Sequence, residues 1–466
     1  MKKFAIVYGQ AKTDVQKRAI EELTSTLLNY TFEYPVCLCC NNCENPRDYT
    51  CIYIGTKENN PYIRSNSIKS LAKDEEYNIT VKNDTVMIEG YDDAGVLYGV
   101  LDFYNKYILK FDRVQDDGHW TSFSDVDMLP DFEYGSAPSV KERGLWTWGH
   151  VIYDYRGYFD NMMKLKMNKV IIWNDFAPIN ADDIVKYAHS RNIKVFWGFS
   201  WLWDTQERKV DIKNLDGRSD EILAKYESQY ANIGGDGIYF QTFTEKTEDN
   251  IDGVLIAEAA ANFVNKTSAM FYEKYPNIEI EFGLHATSVK NRLEFIKTVD
   301  PRIRIVWEDC GAFPFSDLPN EISKFDSTKE LIGQLSTLRG QNDRFGAVTK
   351  SLAKLDWLRF EHLTAPQYIG VSTEYMQKNR IERKSKMWRF VQAGWLVNSD
   401  KASETVKELC RLKGGDLCVL ALVEDGMFEK NIMYPIALYS EMLWDCKTNV
   451  KTLIGEVALR DYITFA

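Results

Sequence analysis

Aromatic rings and carboxylates recur together where short hydrophobic runs of this sequence end. The run GIYFQTFTE ends at Glu245, for example, and RIRIVWED ends at Trp307, Glu308 and Asp309. A pair of carboxylates can cleave a glycosidic bond, because one protonates the departing oxygen while the other activates water or attacks the sugar carbon. Apolar walls raise the pKa of such an acid so that it keeps its proton near neutral pH. The pattern therefore predicts glycosidase chemistry.

Four carboxylates are candidates for the catalytic pair. Glu245 is predicted to be the general acid because it directly follows a strand-like run of β-forming residues. The base or nucleophile is predicted to be Glu361 or Asp309, with Glu308 as a further catalytic candidate. Glu245 could instead belong to the acidic start of the next helix, since TEKTED carries the charges that helix starts prefer. Glu308 and Asp309 could instead pair with a structural Arg or Lys at the mouth of a barrel.

Further aromatic and polar residues are predicted to bind the substrate. Indole and phenol rings stack on the apolar faces of sugars, and polar neighbours satisfy the hydroxyl groups. The predicted set is Trp146, Trp148, Trp173, Asn174, Asp175, His285, Trp307 and His362. Aromatic rings also fill protein cores, so some of the first three Trp residues could be core residues. His285 could be a buried imidazole with an ordinary partner, and the pair Glu361 and His362 could belong to a surface loop.

The elements that would position these residues alternate between strands and helices from residue 139 onward. Strand-like runs are KERGLWTWGH, MNKVIIWND, NIKVFWGFS, DGIYFQTFTE, IEIEFGLH and RIRIVWED, then FGAVTKSL or KLDWLRFEH, with PQYIGVS as a possible eighth. Helical spacing separates them. Such alternation predicts a (β/α)8 TIM-like barrel, whose active site lies at the carboxyl ends of its strands. An open doubly wound sheet is the alternative, but no Gly-rich phosphate loop follows the first strand.

A small α/β domain is predicted to precede the barrel, over residues 1–138. Strands are expected at Phe4–Tyr8, Thr50–Gly55, Tyr77–Lys82 and Thr85–Gly90, and helices at Asp14–Asn29 and Val96–Leu109. Pro130 and Pro138 flank a polar linker, which places the boundary near residue 138. The predicted barrel spans residues 139–400. A mostly helical C-terminal segment is predicted for residues 401–466, in which DLCVLALV is the only strand-like run.

Composition narrows the class of protein. The 466 residues are 45% hydrophobic and 27% charged, and the net charge is −11. An acidic chain of this kind is not expected to bind nucleic acid or an anionic membrane surface, which attract clustered Lys and Arg. No apolar run approaches the ~18 residues of a membrane span. The start, MKKFAIVYGQ, has too short an apolar run for a signal peptide, so a cytoplasmic location is expected, or secretion if a signal was removed.

The cysteines and histidines do not predict a metal site or a cofactor. Nine cysteines, an odd number, fit a reducing compartment better than a disulfide framework. Cys37, Cys39, Cys40, Cys43 and Cys51 cluster without the paired knuckles of a zinc site, so they are interpreted as small apolar residues. The five histidines show neither His-x-His nor His-Glu-x-x-His spacing. The aromatic and carboxylate pattern makes a carbohydrate the expected partner. The apolar C-terminal helices could also form a homodimer contact.

Several segments resemble glycoside hydrolase family 67, the α-glucuronidases, and the related hexosaminidase-type families with an N-terminal α/β domain. They are GYDDAGVLYGVLDFYNKYI, RGLWTWGH, MNKVIIWND, GIYFQTFTE, LDWLRFEHLTAPQYIG and RFVQAGWLVNSDKASETVKEL. The resemblance places Glu245 at the position of the acid and Glu361 at that of a base. The aspartate after the sixth strand does not align, because Glu308 and Asp309 come earlier. Basic residues that would hold a glucuronate carboxylate are not apparent.

Three classes of function remain open at this point. The first is a glycosidase acting on an oligo- or polysaccharide with Glu245 as general acid. The second is a non-catalytic carbohydrate-binding protein on the same scaffold. An N-acetylhexosaminidase-type enzyme is a further alternative. Thr244 stands where substrate-assisted hexosaminidases carry a second carboxylate, which argues against participation of an N-acetyl group. The third is a lyase or metal-dependent hydrolase on a barrel, which the histidine pattern disfavours.

Overall fold

The computed structural model describes residues 2–10, 13–40, 48–111, 113–114, 120–121, 123–174, 176–203, 209–308, 325–353, 365–413, 416–423 and 427–466. The chain divides into two compact units. The first comprises Met1–Pro138 with His189–Asn192, and the second comprises Ser139–Ala188 with Ile193–Ala466. Among the helices in the described ranges, none combines the length and apolarity that a bilayer crossing requires.

The first unit is built on an open sheet of six strands, ordered β2-β1-β3-β5-β4-β8. Strands β1, β2, β3 and β5 are parallel, while β4 runs antiparallel to β5 and β8. The elements in chain order are β1 (Phe4–Tyr8), α1 (Asp14–Thr31), β2 (Val36–Cys39), β3 (Thr50–Gly55), α2 (Pro61–Asn66), β4 (Tyr77–Lys82), β5 (Thr85–Gly90), α3 (Asp93–Lys106), β6 (Arg113–Val114), β7 (Trp120–Thr121) and β8 (Phe132–Ser136), with 3-10 turns at Ile108–Lys110 and Phe123–Asp125.

Local sequence signals explain why these elements begin where they do. Helix α1 starts with a capping box, in which the Thr13 hydroxyl accepts from the Gln16 N–H and the Gln16 side chain accepts from the Thr13 N–H. Helix α3 starts at Asp92, whose carboxylate accepts from the Gly95 N–H at 2.7 Å. The four strands predicted for this region are confirmed with the predicted bounds.

The second unit is a closed barrel of parallel strands in the order β10-β11-β12-β15-β16-β17-β18-β9. Its elements are β9 (Glu142–Trp148), α4 (Tyr155–Lys164), β10 (Lys169–Trp173), α5 (Ala181–His189), β11 (Lys194–Ser200), α6 (Arg218–Gln229), β12 (Gly237–Gln241), β13 (Asn250–Ile251), β14 (Val254–Leu255), α7 (Ile256–Lys274), β15 (Glu279–Leu284), α8 (Leu293–Ile296), β16 (Arg304–Trp307), α9 (Phe325–Ser336), β17 (Phe345–Thr349), α10 (Glu374–Val397), α11 (Ser399–Lys413), β18 (Leu417–Leu422), β19 (Ile432–Met433), α12 (Tyr434–Trp444), α13 (Val450–Ala458) and β20 (Ile463–Thr464), with a 3-10 turn at Gly149–Val151. The barrel confirms the predicted fold class.

Strand alternation sorts the barrel residues into an interior and an outer layer. Successive side chains of a strand point to opposite faces. One buried cluster draws on seven of the barrel strands and fills the interior: Trp146, Trp148, Ile171, Trp173, Phe196, Tyr239, Val306, Val348, Cys418, Leu420 and Leu422. The intervening residues, such as Leu145, Ile172 and Phe240, belong to a second cluster that packs the strands on the surrounding helices. The interior is therefore a packed core whose upper layer carries the site.

The last barrel strand differs from the prediction. PQYIGVS forms only an isolated bridge, between Val371 and Asp154, and the eighth strand is instead β18. Strand β18 pairs with both β17 and β9 and so closes the barrel. The predicted barrel limit at residue 400 is therefore wrong, because β18 comes from the segment 401–466. The seventh strand is β17, within FGAVTKSL, and the alternative KLDWLRFEH lies outside the described residues.

Candidate active site

Glu308 is the most strongly held carboxylate at the carboxyl end of the barrel. It directly follows β16, and only 1% of the residue is exposed. The Gln241 side-chain N–H group donates to both carboxylate oxygens, at 2.7 and 2.6 Å, and the Tyr239 hydroxyl donates to Oε1. His285 Nε2 lies 3.0 Å from Oε2, and Lys350 Nζ lies 3.7 Å from the same oxygen. Glu308 is thus surrounded by four donor residues from three places in the chain.

The barrel geometry explains why these partners meet. Tyr239 and Gln241 are two residues apart on β12, so both side chains point into the interior. His285 directly follows β15, which pairs with both β12 and β16. Gly283 provides the space between them, since a Cβ atom there would lie 2.2 Å from Glu308 Oε1 and 2.3 Å from the Tyr239 hydroxyl oxygen. A glycine at this point lets the carboxylate and the phenol approach each other across the interior.

The surroundings of Glu308 keep its carboxyl group ionised. Burial by itself would raise the pKa, because desolvation disfavours the charged form. The His285 imidazole, the Lys350 ammonium and the Tyr239 hydroxyl outweigh burial and lower the pKa of Glu308 to about 2. A carboxylate in this state cannot donate a proton at neutral pH. It can act as a nucleophile or base, or stabilise a positive charge that develops nearby.

Glu245 follows β12 by four residues and is half-buried. Trp203 Nε1 donates to Glu245 Oε2 at 3.2 Å, and Lys246 Nζ lies 5.7 Å from the centre of the Trp203 ring. The segment is fixed on its other side, where the Ser288 hydroxyl donates to the Thr244 carbonyl at 2.7 Å. Glu245 is therefore a more exposed carboxylate than Glu308, placed against an indole at the same end of the barrel.

Three of the predicted sugar-binding Trp residues form the interior wall next to this site. The ring centroids of Trp146 and Trp148 are 5.5 Å apart, and those of Trp148 and Trp173 are 5.4 Å apart. Trp146 and Trp173 also contact the ring of Tyr239, at 6.3 and 6.4 Å. All three indoles are buried. They pack in the interior, where Trp146 and Trp173 contact Tyr239, one of the donors to Glu308.

The remaining described candidates lie in different layers. Trp307 is fully buried in the cluster between strands and helices, so its ring points away from the interior that Glu308 faces. This placement argues against the predicted sugar contact. Asn174 is buried at the end of β10, and a Cβ atom on Gly149 would lie 1.9 Å from its Oδ1. Within the described ranges, neither Asn174 Oδ1 nor Nδ2 has a hydrogen-bond partner.

Four of the predicted site residues lie outside the described residues. They are Asp175, Asp309, Glu361 and His362. Their predicted roles in catalysis and binding stay predictions.

Glu429 is a carboxyl group that sequence reasoning missed. It follows β18, and its Oε1 accepts from the Tyr153 N–H at 2.8 Å, which ties the loop after the last strand to the loop after the first. Burial raises the pKa of Glu429 to about 7, and the negative charge of Asp154 contributes in the same direction. A lone Glu in a short, polar connection gave no periodicity that could reveal this contact.

The amino end of the barrel carries the one group of potential metal ligands found in the described part of the chain. Ligand atoms of Glu142, Glu281 and Cys418 lie within 4.8 Å of one another. Cations of the protein itself already occupy the space: Lys169 Nζ lies 2.8 Å from Glu142 and 2.6 Å from Glu281, and Arg304 also pairs with Glu142. The carboxylates are neutralised by these side chains, so the group is better explained as a structural ion network than as a metal centre.

Comparisons with known proteins agree on the fold. No protein-family model matches the chain, and no curated protein sequence matches it either. The structure of a β-N-acetylhexosaminidase from Bacteroides fragilis NCTC 9343 is similar, with a TM-score of 0.59 and 12% identity over 100% of this chain and 93% of that one. A GH138 enzyme targeting pectin rhamnogalacturonan II matches with a TM-score of 0.55 and 12% identity over 96% of this chain and 51% of that one.

A third similar structure is BtGH115A, a family GH115 4-O-methyl-α-glucuronidase with specificity for decorated arabinogalactans. Its TM-score is 0.53 and its identity is 12%, over 97% of this chain and 58% of that one. The chain thus spans about half of the GH138 structure and little more of the GH115 structure. At this identity the likeness shows the fold, a barrel that glycoside hydrolases use. None of the three is described as a family 67 enzyme.

Proposed function

We propose that this chain is a glycoside hydrolase that cleaves a glycosidic bond in an oligo- or polysaccharide. The observation that carries the proposal is the buried, ionised Glu308 at the carboxyl end of a barrel strand, with the more exposed Glu245 at the end of another strand. Active sites of (β/α)8 enzymes lie at this end. The similar solved structures support the proposal, because they are glycoside hydrolases on the same fold.

The two carboxyl groups differ in environment, and this difference suits the two roles that glycoside hydrolysis requires. Glu308 stays ionised and can stabilise the positive charge of an oxocarbenium-like transition state, or attack the sugar carbon. Glu245 is half-buried against Trp203, and in this proposal it protonates the departing oxygen. His285 and Gln241 contact Glu308 directly and hold its oxygens in a fixed orientation. Asp309 and Glu361 stay the predicted alternatives for the second carboxylate.

Hydrolysis of a panel of aryl glycosides and oligosaccharides tests the proposal. The panel includes glucuronides and N-acetylglucosaminides, which the names of the similar structures suggest. We expect the wild type to cleave one class of sugar, and Glu245→Gln to lose at least about 10²-fold in kcat/KM, as expected for a missing general acid.

Glu248→Gln is the matched control, because Glu248 is an exposed carboxylate in the same loop. It should keep wild-type activity. If the wild type cleaves no member of the panel while sugars still quench its tryptophan fluorescence, the proposal of catalysis is contradicted and the barrel is a binding module. If Glu245→Gln keeps full activity, the general acid is a different residue.

A further inference from the structure

The first unit has a cavity of about 810 Å³ that the proposed catalysis does not use. This volume lies within the range of pockets that hold small ligands, about 300–1,000 Å³. The cavity lies where β1, β3 and β5 end. Three connections supply most of its lining: Gln10, Thr13 and Gln16 follow β1; Thr56, Glu58, Asn59 and Arg64 follow β3; Tyr91, Asp92 and Asp93 follow β5.

The topology of the sheet makes this edge a natural binding crevice. From β1 the chain passes through α1 to β2 on one side, whereas β3 and β5 lie on the other side of β1. The strand order therefore reverses between β1 and β3. In open α/β sheets, ligands bind outside the carboxyl ends of the strands at such a switch point. The cavity occupies that position.

Close contacts of the backbone fix the floor of the cavity. A Cβ atom on Gly9 would lie 2.1 Å from the Asn59 carbonyl oxygen, and one on Gly55 would lie 2.4 Å from Asn59 Oδ1. The fully buried Asn60 amide donates to the carbonyls of Val7 and Ile54, at 3.3 and 3.0 Å, and so ties the ends of β1 and β3 together. The crevice is thus formed by the fold itself and does not need a ligand to take shape.

The charges around the cavity disfavour an anionic ligand. Among the described residues that line the cavity, Glu58, Asp92 and Asp93 contribute three carboxylates and Arg64 contributes the one cation. A phosphate group would be repelled by this balance and would find no glycine-rich loop here. Neutral ligands with several hydroxyl groups meet no such penalty.

The uncharged lining groups suit a saccharide. Tyr91 is 46% exposed, and its side chain combines a flat apolar ring with a polar hydroxyl group. Gln10 is exposed and adds a side-chain amide to the lining. The Asp93 carboxylate is held by Thr13 and Gln16, which places a fixed acceptor at the rim. An exposed ring beside amide and carboxylate groups combines stacking with hydrogen bonding to hydroxyls.

We propose that this crevice is a second carbohydrate-binding site, which binds a neutral saccharide chain through stacking on Tyr91 and hydrogen bonds to Gln10 and its neighbours. The site would hold a polymer on the enzyme independently of the barrel. It goes beyond the proposed catalytic function, since binding here requires none of the barrel residues.

Affinity electrophoresis of the full chain tests the site. The native gels contain mixed-linkage β-glucan, arabinoxylan or galactomannan, all neutral polymers. The Glu308→Gln variant serves as the parent, so that the polymer is not consumed during the run. We expect at least one polymer to slow the parent, and Tyr91→Ala to raise the dissociation constant about tenfold, the equivalent of about 1.4 kcal/mol. Gln10→Ala should weaken binding by a smaller factor.

Tyr34→Ala is the matched control, because Tyr34 is 76% exposed in the same unit and does not line the cavity. It should migrate like the parent, and circular dichroism should show all variants folded. The proposal is overturned if no polymer slows the parent, or if Tyr91→Ala and Gln10→Ala are slowed as strongly as the parent. The proposed catalytic function can fail independently of this site. A wild type that binds polymer through Tyr91 but hydrolyses nothing would contradict only the proposed function.

Discussion

Glu281 and Glu308 are buried carboxylates in neighbouring strands of one barrel, but their partners differ in kind. At the amino end, Glu281 and Glu142 face Lys169 and Arg304, so that two negative charges meet two positive ones. At the carboxyl end, Glu308 is held by Tyr239, Gln241 and His285, and its nearest ammonium group is 3.7 Å away.

This difference indicates that the charge of Glu281 stabilises the fold, whereas the charge of Glu308 is available for catalysis. A balanced network such as the one at the amino end is fully used, because each charge compensates another within the protein. Glu308 Oε1 accepts from the neutral Tyr239 and Gln241 side chains, while His285 and Lys350, which lower the pKa of Glu308, approach Oε2. These donors fix the orientation of an ionised carboxylate that can act on a reacting group. Stabilising such a charge before substrate arrives is how preorganised active sites work.

The largest effect on activity is expected from Glu308→Gln. This substitution removes the negative charge and keeps the shape of the side chain, so kcat/KM should fall by at least about 10³-fold. The free energy of unfolding should change much less than the activity, because the amide keeps the volume of the side chain and an acceptor oxygen for its neighbours. Steady-state kinetics and urea unfolding measure the two effects. A variant with near wild-type activity would place the reaction elsewhere.

The matching change at the amino end should affect stability and leave the mechanism intact. Glu281→Gln removes one of the two carboxylates that compensate the fully buried Lys169, and breaking a buried pair costs about 3–5 kcal/mol. Urea unfolding should show this loss, while kcat/KM of the folded protein stays within a few-fold of wild type. The double variant Lys169→Met with Glu281→Leu should recover much of the stability, because it removes both charges together.

Gly283→Ala should displace side chains at the carboxyl end of the barrel without changing any charge. The added methyl group would lie 2.2 Å from Glu308 Oε1, which forces the Glu308 and Tyr239 side chains apart. We expect a loss of stability of about 1–3 kcal/mol and a fall in kcat/KM of about tenfold or more. Gly346→Ala is the control, because its nearest contact in the barrel interior would be 3.1 Å. Equal effects of the two variants on kcat/KM would contradict the special role of the Gly283 position.

The smallest effect on activity is expected at Glu429, where the change concerns the pH dependence of stability. The pKa of Glu429 is raised to about 7 in the folded state, from an ordinary 4.5. The folded state therefore binds more protons than the unfolded state between these values, and stability falls as the pH rises from about 4.5 to 7. Glu429→Gln should flatten this slope, which amounts to about 3 kcal/mol at most. An unchanged slope in the variant would show that Glu429 is ionised in the folded protein.

The sequence could predict the barrel because each strand carries its own signal. Hydrophobic runs alternated with helical spacing as far as β17, and four of the N-terminal strands (β1, β3, β4 and β5) were predicted with their observed bounds, whereas β2 and β8 were not predicted. The eighth strand was missed because α10 and α11 come between Thr349 and Leu417, so β18 follows a gap far longer than the others. The regular spacing of the earlier strands therefore predicted the eighth strand too early, because two helices lie in the connection between β17 and β18.

The sequence predicted which residues lie at the ends of the strands, but it did not predict which of them contact one another. Trp307 and Glu308 are adjacent, so strand alternation already implies that they face opposite sides. Tyr239 and Gln241 are two apart on β12 and share a face, but only the closed barrel shows that this face meets Glu308. Contacts between strands depend on register, which the sequence of one strand does not contain.

The most direct test of the account is the dependence of each variant on the leaving group of the substrate. It compares dinitrophenyl and alkyl glycosides of the sugar that the wild type cleaves. A dinitrophenolate departs without protonation, so Glu245→Gln should lose little activity on it and at least about 10²-fold on the alkyl glycoside. Glu308→Gln should lose activity on both. Equal losses of Glu245→Gln on the two substrates, or a Glu308→Gln variant active on either, would contradict the assignment of the two carboxylates.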